Sequence, residues 1–151
     1  MKYLGLITKT ADGYAGQIAE LSVLATGDSP TEVEQLLAEG LALYLEDHTD
    51  IVPVAQRLSD LPADLQETYA GLEDVQEVLL EPALMNPASA EVLRAIEQSS
   101  LSYREIARRM GTGHAAIARM VDPFYWGHGL PTLRRLAEVL GLKVEVRLLA
   151  A

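Results

Sequence analysis

The stretch Ser102–Val121 leaves the chain less conformational choice than any other. Ser102 followed three residues later by Glu105 has the spacing of a capping box, in which each side chain satisfies a free backbone N–H at a helix start. Ile106, Ala107 and Met110 then recur as one inward helix face, and Gly111 stands where a left-handed residue ends the helix. A second short helix is predicted over Gly113–Val121, with Ala116, Ile117 and Met120 inward. Ile117 and Met120 lie ten and thirteen residues after Ala107. Two helices crossing near a right angle need a small side chain at closest approach, here Ala107, and a permissive turn four residues on, here Gly111. All four positions fit one register, that of a helix-turn-helix. Ala88–Ser99 carries Val92, Leu93 and Ile96 in helical phase with Ser89 as its predicted cap, and Pro131–Gly141 is a further amphipathic helix ending at glycine.

Charge is distributed so that the mean misleads. The chain has 12 Lys+Arg against 22 Asp+Glu, a net charge of −10. Read as a whole, that argues against a simple basic nucleic-acid binder. Residues 1–87, however, hold three bases and sixteen acids, a net −13, whereas residues 88–151 hold nine bases and six acids, a net +3. Two modules with different partners are expected. The stretch Glu81–Ala88, with Pro82 and Pro87, marks the seam, because a proline disfavours helix at the residue before it. The predicted organisation is a domain over 1–82, a linker over 83–88 and a domain over 89–151.

The first module reads as a small α+β unit. Tyr3, Leu4, Leu6 and Ile7 predict a strand, Asp12-Gly13 a hairpin turn, and Tyr14–Leu21 a second strand with period-two alternation. Ser22–Thr26 is a candidate third strand and Val75–Leu80 a short fourth. Between them, Gly27-Asp28-Ser29-Pro30-Thr31-Glu32 is a helix-start signal. Val33, Leu36, Leu37, Gly40, Leu41, Tyr44 and Leu45 then form the stripe of a helix packed on a sheet, ending near Asp47. Over 48–74 only Leu58, Leu61, Leu65 and Leu72 hint at one or two short helices, with Pro53 and Pro62 as breakers.

The residues Tyr3, Asp12-Gly13-Tyr14, Gly27-Asp28-Ser29 and Glu32 to Leu45 resemble the HicB-type antitoxin domain over about the first fifty positions. Where that family often carries a Pro-x-x-Pro-Gly-Cys-like stretch, this chain has Ala19–Leu24. Residues 89–142 resemble an Xre-type (repressor/Cro-like) helix-turn-helix, and Asp122-Pro123, Gly127-His128-Gly129-Leu130 and Thr132-Leu133 resemble the version fused to HicB domains. The resemblance implies an α+β chain. It would have an N-terminal antiparallel sheet plus helix, partly ribonuclease-H-like, then an all-α helix-turn-helix domain with a C-terminal strand. It also implies an antitoxin whose acidic module neutralises a small basic HicA-type mRNA-cleaving toxin, and which represses its own operon by binding a double-stranded DNA operator.

On that reading Gly113–Val121 is the recognition helix, with His114, Ala115, Ala118 and Arg119 outward. The resemblance places Thr112, Gly113 and the helix N-terminus on phosphate, where free backbone N–H groups suit an anion. Relatives often have Ser-Gln where this chain has Gly113-His114, so an imidazole replaces an amide that reads adenine. Arg119 is expected to read guanine or clamp phosphate, and Arg104, Arg108 and Arg134 to contact phosphate. Phe124-Tyr125-Trp126 is expected to pack as a loop onto the helical core, with a dimer or backbone-phosphate contact as the alternative. The tail Leu142–Leu148 alternates, placing Leu142, Val144, Val146 and Leu148 on one face. A lone strand needs a partner, so antiparallel pairing with a second copy's tail is expected, giving a homodimer suited to a palindromic operator.

Little points to catalysis. His48, His114 and His128 have no histidine at i+3 or i+4, Glu46–Asp50 reads as a charged helix exit, and no nucleophile-elbow, P-loop or dinucleotide fingerprint occurs. Cysteine is absent, which removes disulfides and thiolate metal sites. A non-enzyme without metal or cofactor is expected. No apolar run is long enough to span a bilayer and the N-terminus lacks signal-peptide character, so a cytoplasmic protein without membrane contact is expected. A free-standing transcriptional regulator, with an N-terminal module that oligomerises or senses a ligand, is the alternative.

Overall fold

Tyr3 through Ile7 are five consecutive buried residues, so the first strand is covered on both faces. The computed structural model spans residues 1–151 and contains β1 (Tyr3–Thr10), β2 (Gly13–Ile18), β3 (Leu24–Gly27), α1 (Pro30–Asp47), α2 (Ala63–Ala70) and β4 (Gln76–Leu80) in a first unit, Met1–Leu84. The four strands form one antiparallel sheet in the order β3-β2-β1-β4. The hairpin between β1 and β2 closes with Thr10 opposite Gly13, and β4 returns along β1 with Tyr3 opposite Leu80.

The predicted helix start is capped by Ser29, whose Oγ accepts from the Glu32 amide at 3.2 Å, while the Glu32 carboxylate accepts from the Asp28 amide at 2.7 Å. That reciprocal closure sets α1 on the sheet, where Val33, Leu37 and Leu41 are fully buried against Tyr3, Ile7, Ile18 and Leu80. Gly16 lets the helix come this close. A Cβ at that position would stand 2.6 Å from Val33 Cγ1 and 2.9 Å from Leu37 Cδ1, so any side chain there would push α1 off the sheet.

Residues 48–74, the least readable in sequence, close the other face. A 3-10 turn (Leu58–Asp60) and α2 lay Ala55, Leu58, Leu61, Leu65 and Tyr69 over Leu4 and Leu6, while Leu72 stays half exposed. Pro62 is the N-cap of α2. Carboxylates hold the segment. Glu20 accepts from the Val54 and Ala55 amides, both at 3.0 Å. Asp60 accepts from the Gln56 and Arg57 amides at 3.0 and 3.1 Å, and Glu77 from the Leu58 amide at 2.9 Å. Each carboxylate satisfies backbone donors that a loop would otherwise present to water.

The second unit, Met85–Ala151, contains α3 (Pro87–Gln98), α4 (Tyr103–Met110), α5 (His114–Met120) and α6 (Leu130–Leu140). Its core joins Val92, Ile96, Ile106, Ala107, Met110, Ile117, Met120 and Leu136. Gly111 ends α4 at φ 71°, and the Thr112 amide donates back to Ala107 O at 2.9 Å.

Several boundaries differ from expectation. The stretch read as a linker to residue 88 already contains the start of α3, because Asn86 caps it and Pro87 is its first residue; Ser89, expected as the cap, is buried inside the helix. Gly113 and Val121 cap α5 rather than belong to it, and α6 begins at Leu130. The expected C-terminal strand is not formed within the chain. The last backbone hydrogen bond of the tail runs from the Leu142 amide to Ala137 O at 2.7 Å, and Lys143–Ala151 makes none. A strand exists only against a partner, and the single chain offers this segment none. The class is α+β, with a four-stranded antiparallel sheet and six helices, none long and apolar enough to cross a membrane.

Candidate functional site

Ala107 and Ile117 are buried at the seat between α4 and α5, so the outer face of α5 is set by the core beneath it. His114, Ala115 and Arg119 are exposed on that face, whereas Ala118, expected outward, is half-buried like Ala116, expected inward. His114 lies against Tyr103 at the start of α4, their rings tilted with centroids 5.7 Å apart. The Arg119 guanidinium stands 5.9 Å above the Tyr125 ring, a cation–π placement that steers it without taking up its hydrogen-bond donors.

A cleft of about 220 Å³ gathers Thr112, Arg119, Thr132 and Arg135 with Ala116, Tyr125 and Gly129. Thr112, in the turn, and Arg119, on α5, thus share a concavity. Arg135, which sequence reasoning missed, completes it, whereas Arg104 and Arg134 are exposed elsewhere on α4 and α6. The signal for Arg135 was its position three residues after Thr132, one helical turn along the same face.

Glu105 behaves differently from a capping-box acid. Ser102 Oγ accepts from the Glu105 amide at 3.2 Å, but the Glu105 carboxylate does not return to the Ser102 amide. It takes a fork from Arg108, Nε at 2.9 Å and Nη2 at 2.6 Å, and a further bond from Arg109 Nε at 2.8 Å. In these bonds both partners are ionised, whereas a capping box would set the carboxylate against a neutral amide. One of the arginines expected on phosphate is therefore engaged within the chain, and Arg109 with it.

The two guanidinium groups, Arg108 first, hold the Glu105 carboxyl down to about 2. A lowered carboxyl favours the fold above its ordinary value of about 4.5, and that contribution disappears as pH falls toward 2. An NMR titration of the Glu105 side chain should place its midpoint near 2. A midpoint near 4.5 would mean that the fork does not persist in solution.

The aromatic loop is tied to the start of α3 through Asn86. Its amide donates to Pro123 O at 2.6 Å, and its Nδ2 donates to Tyr125 O at 2.9 Å and to His128 Nδ1 at 3.1 Å. Its Oδ1 accepts from the Ala88 amide at 3.0 Å. His128 Nε2 in turn donates to Met120 O at 2.7 Å, so the ring carries its proton on Nε2 and spans from the end of α5 to the cap of α3. Tyr125 packs on His128 and donates to Gly127 O at 3.1 Å, whereas Trp126 is 59% exposed. Asn86→Ala removes a cap and leaves two acceptors unpaired, and is expected to cost about 1–3 kcal/mol. Denaturant unfolding of the variant checks this, and an unchanged midpoint would mean that water replaces the amide.

In the first unit the acids face solvent without cations. All four ion pairs of the chain, Glu91–Arg94, Glu105–Arg108, Glu105–Arg109 and Glu145–Arg147, lie in the second unit. At the helix exit, His48 stacks on Tyr44 with centroids 4.3 Å apart, and its Nδ1 lies 2.9 Å from Tyr44 O. The acids beside it in sequence do not converge on the ring as a ligand set.

No family model matches the chain, and no curated protein matches it.

Proposed function

We propose that the chain is a HicB-like antitoxin and autoregulator, with a partly ribonuclease-H-like acidic unit and an Xre-type helix-turn-helix unit. The acidic unit binds a small basic HicA-type mRNA-cleaving toxin and the helical unit binds a double-stranded DNA operator. The observation that carries the reading is the pairing, in one chain, of an acidic unit without a single internal ion pair and a helix-turn-helix unit with exposed arginines. Carboxylates without internal cations suit a partner whose own surface is built for RNA phosphate, since complementary potentials speed encounter and disfavour wrong partners.

In the helical unit, Arg119, Thr112 and Arg135 share one cleft beside the exposed face of α5, which supports a backbone clamp flanking the base-reading positions His114, Ala115 and Ala118. Gly113 and the exposed Arg104 and Arg134 extend that contact, and Arg108 joins it when released from Glu105. The tail residues Leu142, Val144, Val146 and Leu148 pair two copies into a dimer matched to a palindromic site. The protein acts by binding in the cytoplasm, without catalysis, metal or membrane.

The experiment is a pull-down of the small basic protein encoded by the adjacent reading frame. Residues 1–84 should retain it and residues 85–151 should not. The reverse pattern, or no capture by either, rejects the antitoxin reading. For the DNA arm, Arg119→Ala is expected to weaken binding about equally for operator and unrelated duplex and to lower the salt slope by about one, as loss of a phosphate contact does. Unchanged affinity removes Arg119 from the interface.

A further inference from the structure

The tail is the part of the chain whose backbone bonding is least accounted for. From Lys143 to Ala151 no backbone N–H or C=O finds a partner, while Leu142, Val144, Val146 and Leu148 are 50%, 38%, 61% and 97% exposed. Glu145 and Arg147 meet at 2.5 Å, which sets side chains two residues apart on the same side, as in an extended strand. The polar face therefore presents Lys143, Glu145 and Arg147 in a row opposite the apolar one.

That row restricts how two copies pair. In an antiparallel ladder, residues directly opposite share a face. Any register that sets an even-numbered residue against an odd-numbered one buries charges and exposes valines, so the two-fold axis must pass through a residue. An axis through Glu145 places Glu145 against its own copy and Lys143 against Arg147, which is repulsive at every charged position. An axis through Val144 relieves this, but Gly141 already ends α6, so the ladder stops within five residues. An axis through Val146 sets Glu145 opposite Arg147 of the second copy twice and pairs Val144 with Leu148. In that register the ladder runs the whole length of the tail, with Leu142 opposite Ala150 at each end.

We propose that two copies pair their tails antiparallel about a two-fold axis at Val146, exchanging two Glu145–Arg147 contacts on the polar face. The inference rests on the tail-mediated dimer proposed above and adds its register. The side chains of Leu142, Val144, Val146 and Leu148 from both copies then lie on one side of the ribbon. A two-stranded ribbon is marginal alone, so that side closes on helical surface of the dimer.

The chain has no cysteine, so a single introduced thiol reports its own distance from its copy. Across the axis at Val146 the Cα atoms stand about 4.5–5.5 Å apart, inside the range a disulfide spans. In the same register the Glu145 pair is about 8 Å apart on the other face and the Val144 pair about 14 Å apart. Full-length Val144→Cys, Glu145→Cys and Val146→Cys are oxidised and run on non-reducing gels, beside light scattering of the unmodified protein. The expected result is a dimer by mass and a covalent dimer from Val146→Cys alone. Preferential cross-linking of Glu145→Cys or Val144→Cys overturns the register while leaving the tail dimer in place. A dimer by mass with no cross-link from any variant overturns tail pairing. A mass of one chain overturns both the register and the proposed dimer.

Discussion

Removal of Lys143–Ala151 is expected to leave a folded monomer and to weaken binding to a palindromic duplex by about 10²–10⁴-fold, the gain that linking two binding modules typically gives. The fold should survive because no tail residue beyond Leu142 belongs to the core, which is built from α3 to α6, and the Gly141 cap with its bond from the Leu142 amide to Ala137 O is retained. On the proposed function the affinity should not survive, because two α5 helices held about one turn of duplex apart would engage two half-sites as one event only while a dimer holds them there. Each monomer also brings half the phosphate contacts, so the dependence of log K on log salt should fall by about half. Light scattering gives the mass, and titration of palindromic and half-site duplexes gives the ratio. A truncated protein that stays dimeric removes the tail from the interface. A monomer with undiminished affinity removes the need for two copies at the operator.

Legibility along the chain followed the range of the forces involved. The positions Ser102, Ala107, Gly111, Ile117 and Met120 were readable because capping, close approach and left-handed termination act within one or two turns. The first hairpin and α1 were readable for the same reason, down to the end of α1 at Asp47, although β2 stops at Ile18 rather than Leu21 and β3 is Leu24–Gly27 rather than Ser22–Thr26. Residues 48–74 were not, because what holds them is remote. Glu20 caps amides 34 and 35 residues away and Glu77 one 19 residues away, and such bonds leave no periodicity in the segment they hold.

Where local signals competed, the stronger chemistry decided. Glu105 has the spacing for a capping box, but two guanidinium groups three and four residues on offer its carboxylate three cationic donors in place of one backbone amide. Asn86 displaced Ser89 as the cap of α3 because its amide also serves Tyr125 and His128, contacts made only once the loop has folded back. Arg135 was overlooked for a related reason, as the cleft it lines is made by three separate segments. The tail's expected strand belongs to a different category, since no segment of the chain pairs with it.

Ile117→Ala is expected to be among the most destabilising single changes in the helical unit, costing about 2–5 kcal/mol through lost burial and the cavity left behind. Ile117 is fully buried and, with Met120, carries α5 into the core that also holds Ala107. A core in a unit of this length supplies only about 3–5 kcal/mol in total, so the variant sits at the edge of folding. In a domain this small each kcal/mol moves Tm by about 4–8 °C. Thermal melts followed by circular dichroism should show the helical transition shifted strongly down or lost. The first unit keeps its own core of Tyr3, Ile7, Val33, Leu37 and Leu41, and the transition assigned to it should not move. Ala115→Ser on the exposed face of the same helix is the control, expected within about 0.5 kcal/mol of the parent. If Ile117→Ala costs less than about 1 kcal/mol, far below what a buried isoleucine contributes, α5 is not seated through that residue. The outward placement of His114 and Arg119 would then lose its structural basis.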